Sequence, residues 1–225
     1  MKYVFGVDIG GTTVKIGLFD VEGNVLDKWE IPTRTENDGE KILPDVADSI
    51  REKMKQMDKD AIAGVGVGAP GPIDAAGVGH RAVNLGWKTF NVKETLEALI
   101  NLPVRAGNDA NVAALGEMWM GGGKGYKDLV VVTLGTGVGG GIIVDGRMIS
   151  GSTGAAGEIG HIHVDDTETD VCNCGNKGCL EQFASATGIT RLANKKLAST
   201  DMDSVLRGGE VSAKTVFDAV KARDP

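Results

Sequence analysis

The sequence predicts an α/β protein built from two related domains. A strand, a glycine-rich turn and a second strand follow one another in each half of the chain, at residues 3–20 and again at 129–144. Segments with the apolar periodicity of helices lie between these two units. The glycines at 121–123 are the clearest break in the pattern. We therefore assign a first domain to 1–120 and a second domain to 121–225.

The first domain begins with β structure and continues with alternating helices and strands. Glu22-Gly23-Asn24 favours a turn between two strands. Apolar residues four apart, from Ile42 to Met54, predict an amphipathic helix. The predicted elements are strands at 3–9, 13–20, 25–31, 62–67 and 103–106, and helices at 39–57, at 92–100 and from Asp109 to the glycines at 121–123.

The second domain repeats the strand pattern and then changes character. A strand is predicted at 129–134, and a hairpin joins 141–144 to 147–150 through Asp145-Gly146, a dipeptide that suits a tight turn. After Ser150 the pattern predicts no further strand. We therefore expect a second domain that is short of a full sheet and lacks its C-terminal part.

Composition and charge argue against several classes of function. The chain has 225 residues, of which 41% are hydrophobic, so it can bury a sizeable core. A net charge of −7 argues against binding of a nucleic-acid backbone. Neither a secretory leader nor an apolar run long enough to cross a bilayer is recognisable. We expect a cytoplasmic protein without a nucleic-acid or membrane partner.

The turn between the first two strands has the composition of a phosphate-binding loop. It reads Asp8-Ile-Gly-Gly-Thr-Thr-Val-Lys15. Glycines expose backbone N–H groups, and threonine hydroxyls add donors for anionic oxygens. Asp8 can approach a hydrated Mg²⁺ bound to phosphates. An ordinary glycine hairpin explains this motif equally well when it is taken alone. The candidate phosphate-binding residues are Asp8, Gly10, Gly11, Thr12, Thr13 and Lys15.

A second turn of the same kind lies at Leu134-Gly-Thr-Gly-Val-Gly-Gly-Gly141. It is not a dinucleotide-binding fingerprint, because a hairpin follows it instead of a helix. It also lacks the Gly-Lys-Ser/Thr ending of a P-loop. Two such turns, one in each domain, could clamp a polyphosphate from both sides. Gly135, Thr136 and Gly137 therefore join the candidate phosphate-binding residues.

The three cysteines predict a metal site. Cys172, Cys174 and Cys179 lie within eight residues, and His161 precedes them. Three thiolates and one imidazole form a closed tetrahedral set for zinc, which makes the metal structural. His163 competes for the imidazole position, because it lies two residues further along and faces the same way in an extended chain. Three unrelated buried cysteines are the alternative.

Several acceptor-rich positions are candidates for catalysis and substrate binding. Asn108 and Asp109 stand where a strand ends and a helix begins, which is where ligands bind in α/β sheets. Both residue types are also ordinary helix N-caps. A helix N-terminus favours the ionised form of Asp109, which could then accept a proton from a substrate hydroxyl. Glu158 and Glu181 flank the predicted metal ligands and could bind adjacent hydroxyls of a sugar. Plain surface charge is the alternative, and their position around the metal ligands argues against it.

Taken together, these motifs resemble those of the ROK family of bacterial repressors and sugar kinases, and within it the zinc-containing glucokinases. The resemblance covers essentially the entire chain. Family repressors carry a DNA-binding segment ahead of the first glycine motif, for which seven residues before Asp8 leave no space. The resemblance to the family rests on Asp8 to Lys15, Gly68 to Pro72, Asn84-Leu-Gly-Trp87, Asn108-Asp109, Leu134 to Gly141, Glu158-x-x-His161 and Cys172-x-Cys-Gly-x-x-Gly-Cys-x-Glu181.

The resemblance implies an actin-like, ribonuclease H-like fold of two domains, with the sugar in the cleft and the ATP phosphates between the two turns. It makes Asp109 the catalytic base that activates the 6-hydroxyl of glucose. His161 would ligate zinc and also face the substrate. ATP, Mg²⁺ and structural Zn²⁺ are the implied cofactors, and we expect a homodimer. The implied sugar-binding residues are Gly71, Asn84, Asn108, Asp109, Glu158, His161 and Glu181.

Two alternatives to a glucokinase remain open from the sequence. The first is a kinase of the same family for another hexose, such as fructose, N-acetylmannosamine or allose. The second is a sugar-sensing protein without catalysis, against which the presence of Asp109 and of both phosphate turns argues. Family kinases also extend beyond residue 225, so we expect the 225-residue chain to bind ATP weakly by itself.

Overall fold

The computed structural model describes residues 2–80 and 82–224, with the backbone alone for Val83. Contacts divide the chain into two compact units. Unit 1 consists of Met1–Val131 and Gly141–Gly157, and unit 2 of Val132–Gly140 and Glu158–Pro225. The units therefore differ from the predicted division at residue 121. Among the described residues, none of the helices has the length and apolar character needed to cross a membrane.

The strands agree closely with the sequence pattern. Predicted and observed ends differ by no more than two residues for the five strands predicted in the first domain, whereas the two-residue strands Val78–Gly79 and Phe90–Asn91 were not predicted. The strands are β1 Tyr3–Ile9, β2 Thr13–Asp20, β3 Val25–Pro32, β4 Ile62–Ala69, β5 Val78–Gly79, β6 Phe90–Asn91, β7 Val104–Asn108, β8 Leu129–Leu134, β9 Val138–Val144 and β10 Arg147–Met148.

The helices follow the predicted periodicity, with one shortened at both ends. The helix predicted at 39–57 spans Ile42–Met54 (α2). Before it, Asn37 and Asp38 have positive φ angles of 52° and 60°, so Glu36–Gly39 (α1) is a single irregular turn and does not continue α2. The helices are α1 Glu36–Gly39, α2 Ile42–Met54, α3 Val92–Ile100, α4 Asp109–Met120, α5 Glu181–Ala184, α6 Ala186–Ala198 and α7 Ala213–Lys221.

Unit 1 is organised by a five-stranded sheet in the order β3-β2-β1-β4-β7. β1, β4 and β7 are parallel to one another. β2 lies next to β1 and is antiparallel both to β1 and to the edge strand β3. The apolar stripes of α2 and α3 are fully buried in one core with the inward residues of β1, β2 and β4. Because the three parallel strands run in the same direction, their carboxyl ends meet at one edge of the sheet.

The hairpin of β9 and β10 packs with unit 1 because β9 approaches α4 very closely. A Cβ atom on Gly141 would lie 2.4 Å from the Cβ of Ala114, so only glycine fits this contact. Asp145 and Gly146 have φ angles of 52° and 72°, which is the tight hairpin turn that the dipeptide predicts. β9 begins at Val138, so Gly139 and Gly140, which were assigned to the turn, belong to the strand.

Unit 2 has little sheet of its own. Its portion of the β8–β9 hairpin is followed by a loop region and then by α5, α6 and α7. Arg191 on α6 bonds to the carboxylates of Glu168 and Asp170, so an ion cluster ties the 165–171 loop to that helix. The guanidinium of Arg191 lowers the pKa of Glu168 to about 2. No strand follows β10 in the described chain, as the sequence pattern predicts.

Candidate active site and metal centre

Three neighbouring parallel strands bring acidic and amide groups to one edge of the sheet in unit 1. Asp8 near the end of β1 is paired with Gly68 on β4, and Gly68 is paired with Gly107 on β7. Asn108 is the last residue of β7, and Asp109 is the first residue of α4. A Cβ atom on Gly68 would stand 3.6 Å from the Cα of Asp109. The edge therefore gathers Asp8 and Asp109 around the end of β4.

Thr33 makes two hydrogen bonds to the turn between β1 and β2. The hydroxyl of Thr33 donates to the carbonyl of Gly10 at 2.7 Å, and its backbone N–H donates to the carbonyl of Thr12 at 2.9 Å. Lys15 stands directly opposite Asp8 across the β1–β2 pair. Asp8, Thr12 and Lys15 are all exposed, so they are accessible to a ligand.

Asn108 caps α4 and also fixes the loop after β4. Its Oδ1 atom accepts the N–H of Asn111 at 3.1 Å, as expected of an N-cap. Its Nδ2 atom donates to the carbonyl of Gly71 at 3.2 Å. Asn84 lies in a short turn and is exposed, and its carbonyl is 3.9 Å from the position that a Cβ on Gly11 would occupy. Gly71 thus lies beside Asn108, and Asn84 lies beside the turn between β1 and β2.

The electrostatics of Asp109 differ from the sequence expectation. Its place at the N-terminus of α4 would by itself lower the pKa. Desolvation of the carboxyl group nevertheless raises the pKa above the ordinary value for aspartate, and the nearby charge of Asp8 adds to the rise. The N–H of Ala110, 2.7 Å from Oδ1, opposes the shift only in part. Since Asp109 remains exposed, a substrate can still reach a carboxylate with raised basicity.

Unit 2 holds its own glycine-threonine turn against the region of α5 and α6. Oε2 of Glu181 accepts the N–H of Val138 at 3.0 Å. A Cβ atom on Gly137 would lie 2.3 Å from the same oxygen, so a larger residue there would displace the carboxylate of Glu181. The hydroxyl of Thr187 donates to the carbonyl of Thr136 at 2.7 Å. Glu181 therefore links this turn to the neighbouring cysteines.

The predicted metal ligands converge. One donor atom from each of His161, Cys172, Cys174 and Cys179 lies within 4.8 Å of all the others. Nδ1 of His161 is 3.7 Å from Sγ of Cys172, and Sγ of Cys174 is 3.6 Å from Sγ of Cys179. Sulfurs around a tetrahedral zinc lie about 3.8 Å apart, given Zn–S bonds of about 2.3 Å. The donor set and its spacing thus fit zinc.

His163 does not join this group. Its Nδ1 atom is 2.9 Å from the carbonyl of Lys177, and its Nε2 atom is 2.8 Å from Asp166. Both ring nitrogens are therefore engaged away from the cysteines. Of the two histidines that the sequence leaves open, the structure places His161 with the thiols.

Glu158 and His161 stand beside the metal ligands. Nε2 of His161 is 4.0 Å from Oε2 of Glu158, while Nδ1 faces Cys172. The ring therefore presents one nitrogen to the thiols and the other to a carboxylate. A Cβ on Gly160 would lie 2.2 Å from the carbonyl of Val138, which explains the glycine between them. Oε1 of Glu181 is 4.0 Å from Sγ of Cys172, so Glu181 also belongs to this group.

Comparison with known proteins agrees with this geometry. The sequence profile of the ROK family matches residues 4–225. The chain belongs to the ROK family. A glucokinase of Halalkalibacterium halodurans is 44% identical over 99% of the chain and 70% of its own length. An N-acetylmannosamine kinase of Shigella flexneri is 34% identical over 92% of the chain and 70% of its own length.

Among solved structures, a ROK family glucokinase from Streptomyces griseus in complex with glucose and AMPPNP matches with a TM-score of 0.80. It is 34% identical, and the match covers 99% of this chain and 72% of that one. The actin-like fold of ROK sugar kinases is thereby confirmed for this ROK chain. The chain spans 62% to 70% of the length of its glucokinase relatives.

The candidate residues of this ROK protein fall into two groups, one in each unit. Some residues next to them were not predicted from the sequence. Thr33 and Thr187 fix the two glycine turns, yet they lie 23 and 51 residues along the chain from the carbonyls that their hydroxyls contact. Gln182 accepts the N–H of Cys179 at 3.1 Å and donates to the carbonyl of Asp170, and so orients a metal ligand. Only the fold brings these side chains into contact.

Proposed function

We propose that this protein is a glucokinase, which transfers the γ-phosphoryl group of ATP to the 6-hydroxyl of glucose. The observation that carries the proposal is Asp109, an accessible carboxylate with a raised pKa at the carboxyl edge of the sheet, beside Asp8. Glucokinase relatives and the Streptomyces griseus complex support a hexose and ATP as the substrates.

In the proposed reaction Asp109 accepts the proton of the 6-hydroxyl. The hydroxyl oxygen then forms a bond to the γ-phosphorus of ATP, and the bond from that phosphorus to the β,γ-bridging oxygen breaks, which releases ADP. A base whose pKa is closer to neutrality is more effective in this step. Most of the remaining stabilisation in phosphoryl transfer comes from positioned N–H groups and cations around the phosphates.

The phosphates of ATP are the ligands we assign to the two glycine-threonine turns. Exposed N–H groups and threonine hydroxyls are suitable donors for their oxygens. Mg²⁺ bound to the nucleotide would neutralise phosphate charge, and Asp8 would bind it through water. The phosphate-binding residues we propose are Asp8, Gly10, Gly11, Thr12, Thr13 and Lys15 in unit 1 and Gly135, Thr136 and Gly137 in unit 2.

The sugar hydroxyls are the ligands we assign to the amide, carboxylate and imidazole groups near Asp109 and near the cysteines. A carboxylate can accept hydrogen bonds from two adjacent hydroxyl groups at once, which suits a hexose. The residues proposed to contact the sugar, in addition to Asp109, are Gly71, Asn84, Asn108, Glu158, His161 and Glu181.

A structural zinc ion is proposed for His161, Cys172, Cys174 and Cys179. The set supplies four ligands, so it leaves no open position for a substrate. Its function would be to fix the loop that presents Glu158, His161 and Glu181. Reduced thiols in such a site suit the cytoplasm, where we place the protein, and we also propose that it forms a homodimer.

A coupled assay of ADP release tests the proposed function. Glucose should support turnover with a higher kcat/KM than fructose, N-acetylmannosamine or allose. Preference for N-acetylmannosamine would instead favour the activity of the Shigella flexneri relative. Sugar binding without any sugar-dependent release of ADP would contradict a kinase and favour a sugar sensor. Light scattering of the purified protein tests the homodimer.

A further inference from the structure

The glycine-threonine turn of unit 2 is held by the first residues of α6. The N–H of Ala186 donates to the carbonyl of Gly135 at 2.8 Å. The hydroxyl of Thr187 donates to the carbonyl of Thr136 at 2.7 Å. Two successive carbonyls of the turn are therefore anchored to one helix, although the sequence separates them from it by about fifty residues.

Anchoring a carbonyl also fixes the next N–H group. A trans peptide unit is planar, so the carbonyl of one residue and the N–H of the following residue point in opposite directions. The described chain contains no cis peptide bond. The bond from Ala186 therefore directs the N–H of Thr136 away from α6, and the bond from Thr187 does the same for the N–H of Gly137.

The N–H groups of the two flanking residues, Gly135 and Val138, already donate hydrogen bonds within the protein. Gly135 donates to the carbonyl of Gly137 at 3.0 Å, and Val138 donates to Oε2 of Glu181 at 3.0 Å. Among the described residues, the N–H groups of Thr136 and Gly137 meet no acceptor. The turn thus offers two adjacent N–H groups, and both are oriented by the N-terminus of α6.

Unit 1 anchors its own turn in a similar way. The hydroxyl of Thr33 donates to the carbonyl of Gly10, and the N–H of Thr33 donates to the carbonyl of Thr12. In both units a threonine hydroxyl outside the turn fixes a carbonyl inside it. Two independent occurrences favour a functional reason over chance.

We propose that Thr187 is a positioning residue for ATP, acting through the turn at Thr136 and Gly137. Its hydroxyl holds the peptide between these two residues so that the N–H of Gly137 can donate to a phosphate oxygen. The inference rests on the proposed function, since it takes the phosphates of ATP as the ligand of the turn. Thr187 contributes the orientation of a donor, and the donor itself belongs to the backbone.

Three variants test this role. Thr187→Val removes the hydroxyl and keeps the shape of the side chain, whereas Thr187→Ser keeps the hydroxyl. Thr190→Val is the matched control, because the Thr190 hydroxyl donates to the carbonyl of Ala186 within the same helix, one turn further on. We expect Thr187→Val to raise the KM for ATP by about two- to tenfold, the effect of one net hydrogen bond, and to leave the KM for glucose unchanged. Thr187→Ser and Thr190→Val should resemble the wild type.

Hydrogen exchange provides a readout that does not depend on activity. The amides of Gly135 and Val138 should exchange faster in Thr187→Val than in wild type or Thr190→Val, because the turn has lost one anchor. Unchanged exchange and an unchanged KM for ATP in Thr187→Val would overturn the proposal, as would equal effects of Thr190→Val. If the wild type releases no ADP, the proposed function fails. Calorimetry with ATP then tests the role of Thr187 separately: weaker binding by Thr187→Val than by the wild type supports it, and equal binding contradicts it.

Discussion

Asp109 is the residue on which the proposed chemistry depends most. Replacing it with Asn keeps the size of the side chain and removes the base. We expect Asp109→Asn to reduce kcat by about 10²–10⁴-fold while glucose still binds. Glucose-dependent ADP release measures the first effect, and calorimetry with glucose measures the second. Asp48→Asn, at an exposed aspartate on α2, is the control. Near-normal turnover of Asp109→Asn would remove this residue from the mechanism.

The raised pKa of Asp109 predicts a particular dependence on pH. The base must be ionised to accept a proton, so kcat/KM should fall as the pH drops through its pKa. Because desolvation and the charge of Asp8 raise that pKa, the acid limb should lie above the ordinary aspartate value of 3.8. Asp8→Asn removes the like charge beside Asp109, so the acid limb of the kcat/KM profile of this variant should move to lower pH. A limb that stays in place would show that Asp8 does not act on Asp109.

At the scale of elements, we expect the loop that carries the cysteines to depend on the proposed zinc ion. Cys174 is exposed, so Cys174→Ser removes a ligand without opening the core. We expect this variant to lose most of its zinc in elemental analysis, compared with one equivalent in the wild type, and to bind glucose more weakly because His161 is proposed to belong to both sites. His163→Ala, the matched control, should keep its zinc. Zinc lost from His163→Ala and kept in His161→Ala would reverse the assignment of the ligand.

A strand or helix could be predicted from the sequence where the residues that determine it lie close together along the chain. Alternation of apolar residues suffices for β1, and apolar spacing of three to four suffices for α3, whose predicted range of 92–100 is the observed one. Spacing also brings the cysteines together. Choosing His161 over His163 required the contacts of His163 with Lys177 and Asp166, which depend on the loop conformation.

Contacts between distant segments were the part that the sequence could not predict. The close approach of Gly141 to Ala114 places the β9–β10 hairpin in unit 1, and no local pattern signals it. The same is true of Thr187, whose neighbours along the chain suggest only a helix N-terminus. For Asp109, local reasoning from the helix N-terminus predicted a favoured ionised form, but the desolvation that raises its pKa depends on the tertiary structure around it.

At the scale of the whole molecule, the edge strand β8 leads us to expect association between copies of the chain. β8 is the last strand in the order β10-β9-β8, and its alternate residues Val130, Val132 and Leu134 are 50% to 66% exposed. A sheet edge with exposed apolar residues is a template for pairing with another chain. We therefore expect the 225-residue protein to associate as its concentration rises.

A lysine on this edge tests the expectation. Val132→Lys places a charge where a neighbouring strand would pair, so we expect association to weaken by about tenfold or more in sedimentation velocity, with the melting temperature little changed. Val205→Lys is the matched control, because Val205 is 69% exposed but lies in a short helical turn outside any strand. If the two lysines reduce association equally, added charge alone is responsible. If only Val132→Lys does so, copies of the chain associate through β8.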